Sequence, residues 1–333
     1  MPEATSPLRL HVAVQSSSPI RAAFTEAAVR DAAARRPGVL EGVELGFSDT
    51  GPALEEALRG ADILHLTGQA ELAGLQARAP RLRWLHYTSA GVEWLLNTGL
   101  PQGVTLTNVS GTHGPKTAEF ALLCVLMLNN NLPALLTAQR ESRWDPRPSG
   151  TVAGRTALVL GLGGLGGATA EALSRHGITV LGVSRSGRPH PACAETHRIE
   201  ALQSLLPRAD YVIIALPMTP ETRNIIGAAE LDLLPPHAGV VNIGRGPQLD
   251  HDALVERLRD GRLAGAVLDA LPQEPLPPES PLWTTPNLVV TPHCGLYDPT
   301  AYGSRALDGF FANLERFKAR QELQQVVDPA RGY

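Results

Sequence analysis

The sequence predicts an α/β protein of two domains, each built on a doubly wound parallel sheet, with a cleft between the domains. Its length of 333 residues is typical of about two domains. Short apolar runs alternate with helical patterns along the chain, and this alternation is typical of parallel sheets. The turn-rich segment Trp-Asp-Pro-Arg-Pro-Ser-Gly at 144–150 interrupts the alternation, which then restarts.

The first hundred residues contain four predicted strands and one predicted helix. The strands are short apolar runs at Leu8–Val14, Ile63–Thr67, 82–88 and 104–108. The helix is an alanine-rich segment over 19–36, and it ends at Pro37-Gly38 because neither residue readily continues a helix.

The strand and helix rhythm is stronger in the second half of the chain. Predicted strands lie at Thr156–Leu160, 178–183, 211–215, 239–243, Gly265–Leu268 and Leu288–Val290. Predicted helices lie at 115–128, 166–176, 201–206, 250–260 and 299–320. The helix over 115–128 is apolar nearly all round, which indicates burial between domains or subunits. We predict a substrate (catalytic) domain of residues 1–108 plus 294–333, to which the last helix returns, and a nucleotide-binding domain of residues 109–293.

The composition of the chain disfavours several classes of protein and several kinds of partner. The net charge of −4 and pI near 6.2 give no electrostatic reason to expect nucleic acid. Cys124, Cys193 and Cys294 are odd in number and far apart, so we expect reduced thiols rather than disulfides. The longest apolar run, 120–128, is too short to span a bilayer. The first ten residues lack the pattern of a signal peptide, and we expect a cytoplasmic protein without a membrane partner.

The glycine-rich turn after the strand Thr156–Leu160 predicts a dinucleotide site. Its glycines follow G-x-G-x-x-G spacing between a strand and a helix, the fingerprint of a Rossmann-like domain. We expect Gly161 to make the tight turn, Gly163 to admit the pyrophosphate and Gly166 to let the helix pack closely. The predicted cofactor contacts of the turn are Gly161, Gly163, Gly164, Leu165 and Gly166.

The end of the next strand selects between NAD and NADP. NAD sites place Asp or Glu there to bind the ribose 2′-hydroxyl, whereas this chain reads Ser184-Arg185-Ser186-Gly-Arg188. Arginine pairs with a phosphate that a carboxylate would repel. We therefore predict a preference for NADP(H), with NAD(H) possible as a second cofactor. The alternative is that Arg185 stacks on adenine and tolerates either cofactor, with Arg188 only solvated.

Three later segments place polar groups directly after predicted strands. Arg245 lies between glycines, Asp269 and Glu274 follow the next strand, and His293 follows the last one. The carboxyl ends of the strands in such sheets are where ligands bind. These residues are therefore the candidates for chemistry.

With these motifs the chain resembles the D-isomer-specific 2-hydroxyacid dehydrogenases, and most closely their glyoxylate/hydroxypyruvate reductase branch. The resemblance runs from about Leu82 to the end. It rests on five motifs that occur in the family's order: Gly161–Gly166, 216–222, 242–250, 269–277 and 291–293.

The resemblance implies roles for individual residues. Arg245 matches the arginine that binds the substrate carboxylate and ketone oxygen, His293 the general acid, and Glu274 the partner of that histidine. A carboxylate beside an imidazole favours the imidazolium, which can donate a proton as negative charge develops on the carbonyl oxygen. Asp269 matches an acid near the nicotinamide, with a structural acid that caps a neighbouring helix as the alternative.

The resemblance also implies further binding residues. The loop Ser89-Ala90-Gly91-Val92 resembles one whose backbone N–H groups hold the substrate carboxylate, with an ordinary turn as the alternative. Additional cofactor contacts are expected at Leu216, Pro217, Thr222, Ile243 and Gly244.

Three departures from the family pattern leave the substrate open. Pro247 stands where the family usually has a donor-bearing residue, and proline has no N–H. Ala270-Leu271 replaces an apolar-aromatic pair. Tyr297 and Asp298 follow His293 in an unusual segment and are candidates for the substrate pocket.

The predicted function is NADPH-dependent reduction of small 2-keto acids to D-2-hydroxy acids by a homodimer. The alternative is a dinucleotide-sensing regulatory scaffold, since the related C-terminal-binding corepressors keep the same three residues. A metal-dependent enzyme is disfavoured because the ten histidines form no H-E-x-x-H pattern. Phosphite oxidation is disfavoured because the segment 87–91 lacks the lysine that phosphite oxidisers of the family carry.

Overall fold

The computed structural model describes residues 6–18, 20–92, 95 and 100–329. The chain forms two compact units, one of Met1–Thr112 with Asp298–Tyr333 and one of His113–Tyr297. The predicted domain boundaries, after residue 108 and after residue 293, stay a prediction.

Twelve strands are formed by the described residues. They are β1 Leu8–Val14, β2 Val43–Ser48, β3 Ile63–Thr67, β4 Trp84–Tyr87, β5 Thr105–Thr107, β6 Thr156–Leu160, β7 Thr179–Val183, β8 Glu195–His197, β9 Tyr211–Ile214, β10 Gly239–Asn242, β11 Gly265–Leu268 and β12 Leu288–Val290. Every pairing between these strands is parallel.

The helices lie between the strands in chain order. They are α1 Glu26–Ala34, α2 Pro52–Leu58, α3 Leu75–Arg78, α4 Gly114–Asn129, α5 Leu132–Arg140, α6 Gly164–Arg175, α7 Leu202–Leu205, α8 Ala228–Asp232, α9 His251–Arg259 and α10 Tyr302–Lys318. Single 3₁₀ turns lie at Arg21–Phe24, Ile199–Ala201, Leu206–Arg208, Pro220–Thr222, Gly246–Gln248 and Pro281–Trp283.

The first unit is built on a five-stranded sheet with the order β2-β1-β3-β4-β5. Helix α10 packs in this unit, where Phe310 stacks on Trp84 of β4 with ring centroids 5.0 Å apart. Its polar face forms an ion pair from Asp308 to Arg35 at 2.8 Å. The C-terminal amphipathic helix thus completes the first sheet's core.

Two predictions for the first unit were wrong in detail. The helix expected over 19–36 is interrupted: a 3₁₀ turn at Arg21–Phe24 precedes α1, and the Thr25 side chain caps α1 by accepting the Ala28 N–H at 3.2 Å. Its predicted first residue, Pro19, lies outside the described residues. Strand β2 was missed because it is a half-exposed edge strand with Gly46 inside it.

The second unit is built on a seven-stranded sheet with the order β12-β11-β10-β9-β6-β7-β8. The order reverses at the neighbouring strands β6 and β9, which is the switch point where ligands bind in such sheets. Residues of β6 alternate between two apolar cores: Leu158 and Leu160 lie in one, Ala157 and Val159 in the other. A sheet covered on both faces confirms the doubly wound prediction. The short edge strand β8, Glu-Thr-His, was missed because it is polar.

Helix α4 is the strongly apolar helix predicted over 115–128. Its buried residues include Phe120, Cys124 and Val125, whereas Leu123 is 49% exposed. No single helix in the described part of the chain is long and apolar enough to cross a membrane, and the bent pair α4 and α5, with 64° between them, passes the same test of length and composition.

Candidate functional site

The glycine turn between β6 and α6 has the geometry of a phosphate cradle. Gly161 has φ +89°, and a Cβ on it would lie 2.7 Å from the carbonyl oxygen of Ala215. A Cβ on Gly166 would lie 1.6 Å from the carbonyl oxygen of Gly161, whereas one on Gly163 would meet nothing within 4 Å. The chain therefore closes tightly around two of the glycines and leaves the third open to an approaching ligand.

The N-terminus of α6 supplies the donors of this cradle. The first bond within the helix runs from the Gly167 N–H to the Gly163 carbonyl at 2.8 Å. The N–H groups of the first turn, on Gly164, Leu165 and Gly166, precede that bond, and such groups bind anions at helix N-termini. The residues present thus fit the pyrophosphate of a dinucleotide.

The segment after β7 carries the candidates for cofactor selection. Ser184 is half-buried and its hydroxyl accepts the Gly187 N–H at 3.2 Å, while Arg185, Ser186 and Arg188 are exposed. The sequence interpretation missed Arg198, whose Nε donates to the Arg185 carbonyl at 3.3 Å. Arg198 directly follows β8, and the pairing of β8 with β7 brings it close to this loop.

The loop after β9 contains three of the predicted cofactor contacts. The hydroxyl of Thr222 donates to the Pro217 carbonyl at 2.7 Å and accepts the Thr219 N–H at 2.8 Å. Thr222 therefore closes the loop that presents Leu216 and Pro217. The Glu221 side chain lies in the same turn, where a bond from Thr219 and, more weakly, the charge of Arg185 lower its pKa.

Arg245 lies three residues beyond β10, in a turn made by its neighbours. Asn242 is fully buried; its Oδ1 accepts the Gly244 N–H and its Nδ2 donates to the Arg245 carbonyl, both at 3.0 Å. The buried Gln248 accepts the Arg245 N–H at 2.9 Å. The guanidinium is half-buried and one of its nitrogens donates to the Gly244 carbonyl at 2.9 Å. Of the predicted cofactor contacts here, Ile243 packs in the apolar core.

Glu274 and His293 are brought together by the neighbouring strands β11 and β12. The Nδ1 of His293 lies 2.8 Å from Oε2 of Glu274, and the other oxygen of that carboxylate accepts the Leu271 N–H at 3.0 Å. An ionised carboxylate only accepts hydrogen bonds, so Nδ1 carries the proton and Nε2 is the ring atom left for proton exchange. Both side chains are 39% exposed.

Asp269 anchors the loop that carries His293. Its carboxylate is 1% exposed and accepts the Thr291 hydroxyl at 2.6 Å and the N–H groups of Cys294 and Gly295, both at 3.1 Å. Burial and, second, the charge of Asp269 raise the pKa of the nearby Cys124 thiol to about 12. Asp269 thus holds a loop rather than the start of a helix, and its contact with a nicotinamide stays a prediction.

The loop predicted to hold a substrate carboxylate lies in the first unit, directly after β4. Ser89, Ala90 and Gly91 are half-buried, while Val92 packs in the core. The loop is held by Asn108, whose Nδ2 donates to the Ala90 carbonyl at 3.0 Å. Tyr302 holds the residue before it, since its hydroxyl donates to the Thr88 carbonyl at 2.6 Å.

Two of the unusual residues have clear local roles. Pro247 lies in the 3₁₀ turn Gly246–Gln248, where its carbonyl accepts the Asn224 N–H at 2.8 Å. Asp298 caps the turn before α10: its Oδ1 accepts from the Thr300 hydroxyl at 2.7 Å and its Oδ2 lies 3.1 Å from Arg305. That carboxylate is engaged within the first unit, and a place for Tyr297 or Asp298 in a substrate pocket stays a prediction.

Comparison with known proteins places this site in a family. Residues 122–295 match the family model described as D-isomer specific 2-hydroxyacid dehydrogenase, NAD binding domain. The chain belongs to this family. It is an NAD(P)-dependent oxidoreductase by its family, and the predicted resemblance is confirmed.

Relatives with known names agree with this assignment. A glyoxylate/hydroxypyruvate reductase B of Yersinia enterocolitica is 33% identical over 74% of this chain and 78% of its own. A D-isomer specific 2-hydroxyacid dehydrogenase of Xanthobacter autotrophicus, solved with NADPH and MES, has a TM-score of 0.82 at 31% identity, covering 99% of this chain and all of its own. An NADPH-dependent glyoxylate/hydroxypyruvate reductase of Sinorhizobium meliloti, solved with NADP and sulfate, has a TM-score of 0.79 at 30% identity, covering 98% and 100%.

Within this dehydrogenase, sequence reasoning missed the residues that support the predicted site. Asn242, Gln248 and Thr291 are buried or half-buried polar residues that bind the loops carrying Arg245 and His293. Asn242 and Thr291 have a signal in the sequence, since each is a polar residue at or just after the end of an apolar strand, whereas Gln248 lies six residues beyond β10. That signal does not reveal which backbone groups each side chain meets.

Proposed function

We propose that this dehydrogenase is an NADPH-dependent reductase of small 2-keto acids, of the glyoxylate/hydroxypyruvate type, that produces D-2-hydroxy acids. The hydrogen-bonded pair of His293 and Glu274 is the observation that carries the proposal. It lies at the carboxyl ends of β12 and β11, on the same edge of the sheet as the glycine turn after β6. The Yersinia and Sinorhizobium reductases lend support to the substrate class.

The cofactor would be held by the glycine turn and the first turn of α6, with its 2′-phosphate at Ser184, Arg185, Ser186 and Arg188. When bound, NADPH supplies a hydride to the carbonyl carbon of the keto acid. The 2′-phosphate is doubly or singly negative near neutral pH, and the exposed arginines there match its charge. The NADPH and NADP bound to the Xanthobacter and Sinorhizobium enzymes support this choice.

Residues of this chain would stabilise the charge that develops on the carbonyl oxygen and supply the proton that neutralises it. Arg245 presents a planar fork that binds a carboxylate and stabilises the negative charge developing on the carbonyl oxygen. His293 donates its Nε2 proton to that oxygen, and Glu274 holds the ring in the required orientation and stabilises the imidazolium. The loop Ser89–Val92 would bind the substrate carboxylate through backbone N–H groups.

The test is reduction of a panel of 2-keto acids, including glyoxylate, hydroxypyruvate and pyruvate, followed by NADPH absorbance. We expect turnover of one or more members, with loss of about a hundredfold or more in kcat on His293→Ala. Absence of turnover with every member, together with tight NADPH binding, would instead favour the regulatory scaffold.

We also propose a cytoplasmic homodimer. Leu123 on α4, Leu132 on α5 and Trp144 beyond α5 are 49%, 37% and 94% exposed, and a second copy that covered them would remove this apolar surface from water. Sedimentation of the wild type and of Leu123→Asp tests the assembly: a monomeric wild type at micromolar concentration would contradict it.

A further inference from the structure

Gln248 is a buried amide whose hydrogen-bonding groups are all used by backbone. It is 0% exposed at the end of the 3₁₀ turn Gly246–Gln248. Its Nε2 donates to the carbonyls of Leu216 at 2.9 Å and Pro217 at 2.8 Å, and its Oε1 accepts the Arg245 N–H at 2.9 Å. One side chain therefore binds two segments that leave neighbouring strands, β9 and β10.

The surroundings of Gln248 favour an amide over a carboxylate or an apolar side chain of similar size. A Cβ on Gly244 would lie 2.4 Å from Oε1 of Gln248, so the absence of a side chain at residue 244 leaves space for the amide. Two carbonyls require two donors on one atom, while the Arg245 N–H requires an acceptor. A carboxylate fails the first requirement and an apolar side chain fails both. The Pro217 carbonyl would still accept the Thr222 hydroxyl at 2.7 Å, whereas the half-buried Leu216 carbonyl would lose its bond to residue 248, which is destabilising.

We propose that Gln248 is a positioning residue that couples the dinucleotide loop at Leu216–Pro217 to the backbone that aims Arg245. It reaches neither ligand by these contacts and acts through the residues that the proposed function assigns to them, so the inference rests on that proposal. Fixing both loops with one rigid amide lowers the freedom that cofactor and substrate binding must otherwise remove. Loss of the amide should therefore weaken dinucleotide binding and substrate binding together.

The hydrogen bonds of Gln248 to Leu216, Pro217 and Arg245 form what we call the Gln248 clamp. The substitution Gln248→Glu tests its donor side and its acceptor side separately. It keeps an acceptor for the Arg245 N–H but turns a carboxylate oxygen toward the two carbonyls. At pH 8 we expect the Kd for NADP⁺, measured by calorimetry, to rise about tenfold relative to wild type, and the KM for glyoxylate to rise as well. At pH 6 a buried carboxyl facing carbonyls is protonated and regains one donor, so the ratio to wild type should fall to about threefold or less.

A second substitution and a matched control keep the test decisive. Gln248→Met is close in size but makes no such bonds, so the rise in Kd should be present at both pH values. Asn313 is a comparable buried amide in the first unit, 1% exposed and bonded to the backbone of Gln324 at 2.9 and 2.8 Å. Asn313→Asp should lower the melting temperature while leaving the Kd and KM unchanged.

The outcomes distinguish this inference from the proposed function. If both Gln248 variants lower the melting temperature as Asn313→Asp does, yet keep the wild-type Kd and KM, Gln248 is only structural and the inference is overturned. A raised Kd that recovers at pH 6 in Gln248→Glu alone supports it. If the wild type binds NADP⁺ but reduces no keto acid, the proposed function fails, while the comparison of Kd values still decides the role of Gln248.

Discussion

His293 donates from Nδ1 to the Glu274 carboxylate across 2.8 Å, and it does so from a backbone at φ +50°. Side chains other than glycine rarely adopt this left-handed region, and histidine is among those that tolerate it better. The conformation is upheld by the Asp269 carboxylate, which binds the N–H groups of the next two residues. An unusual backbone held by a buried charge is typical of a functional position.

The Glu274 carboxylate should matter for catalysis more than for stability. Glu274→Gln keeps an acceptor for the Leu271 N–H but no longer stabilises an imidazolium, so we expect kcat to fall about a hundredfold. The pair is partly exposed, so the melting temperature should change little. The control is Glu195→Gln, which alters a histidine–carboxylate pair of the same 2.8 Å length at His197. Equal kcat values for the two variants would contradict the assignment.

The Asp269 carboxylate should matter for both stability and activity. Asp269→Asn removes the negative charge from a site that is 1% exposed and whose Oδ1 accepts three hydrogen bonds. It also places an NH₂ group where Oδ2 accepts the Gly295 N–H at 3.3 Å. We expect a loss of about 2–4 kcal/mol in the free energy of unfolding, measured in urea, with lower kcat as the His293 loop loosens. Thr291→Val removes one donor and should cost about 1 kcal/mol. If the free energy of unfolding of Asp269→Asn equalled that of the wild type, the anchoring role would be ruled out.

Two glycines of the dinucleotide turn should respond differently to the same substitution. Gly163→Ala places a methyl group in open space, so the protein should fold normally and bind NADP⁺ about tenfold or more weakly. Gly166→Ala drives a methyl group into the Gly161 carbonyl, so it should destabilise the nucleotide unit itself. Melting curves and calorimetry with NADP⁺ check both, and unchanged affinity in Gly163→Ala would show that no phosphate approaches there.

The arginines after β7 should discriminate between the two cofactors. In the double variant Arg185→Ala/Arg188→Ala we expect kcat/KM for NADPH to fall about tenfold or more while kcat/KM for NADH stays unchanged, because only the 2′-phosphate pairs with them. An equal fall with both cofactors would instead indicate stacking of Arg185 on adenine. Arg175→Ala, an exposed arginine at the far end of α6 with a 3.4 Å pair to Glu171, serves as the control.

Two buried histidines in the first sheet should make the protein sensitive to acid. Burial lowers the pKa of His65 to about 3, and burial together with His65 lowers the pKa of His86 well below its ordinary value. Below pH ~6.5 the unfolded chain binds protons that the folded chain does not. The contribution of His65 to stability is therefore full above that pH, and falls by up to about 1.4 kcal/mol per pH unit as pH drops toward 3. His86 acts in the same direction.

Urea unfolding at pH 7 and pH 4.5 measures this dependence. The neighbours of His65 are aromatic, Phe24 and Phe310 among them, so His65→Phe should fold and should flatten the pH dependence. His237→Gln, at a 60% exposed side chain, should leave the slope as it is in the wild type. A slope unchanged by His65→Phe would show that the acid sensitivity arises elsewhere.

The strands that the sequence predicted best are those marked by an unbroken apolar run with turn residues at its ends. Strands β1, β3, β6, β11 and β12 have the predicted bounds because each is a short apolar run closed by turn residues. The edge strands β2 and β8 were missed because they are half-exposed and have no such run. The helix over 19–36 was predicted unbroken because the cap at Thr25 lies within an otherwise uniform alanine-rich pattern.

By itself, the sequence determined the glycine turn and the family, because the spacing of motifs can be read along the chain. It also predicted Arg245, Glu274 and His293 as the reacting residues, and these roles stay predictions. Only the tertiary structure decided which groups meet. The 2.8 Å contact of His293 with Glu274 depends on the register of β11 and β12, and the Gln248 clamp depends on two loops from neighbouring strands. Hydrogen bonds act over about 3 Å, and a linear pattern does not specify distances between segments that folding alone brings together.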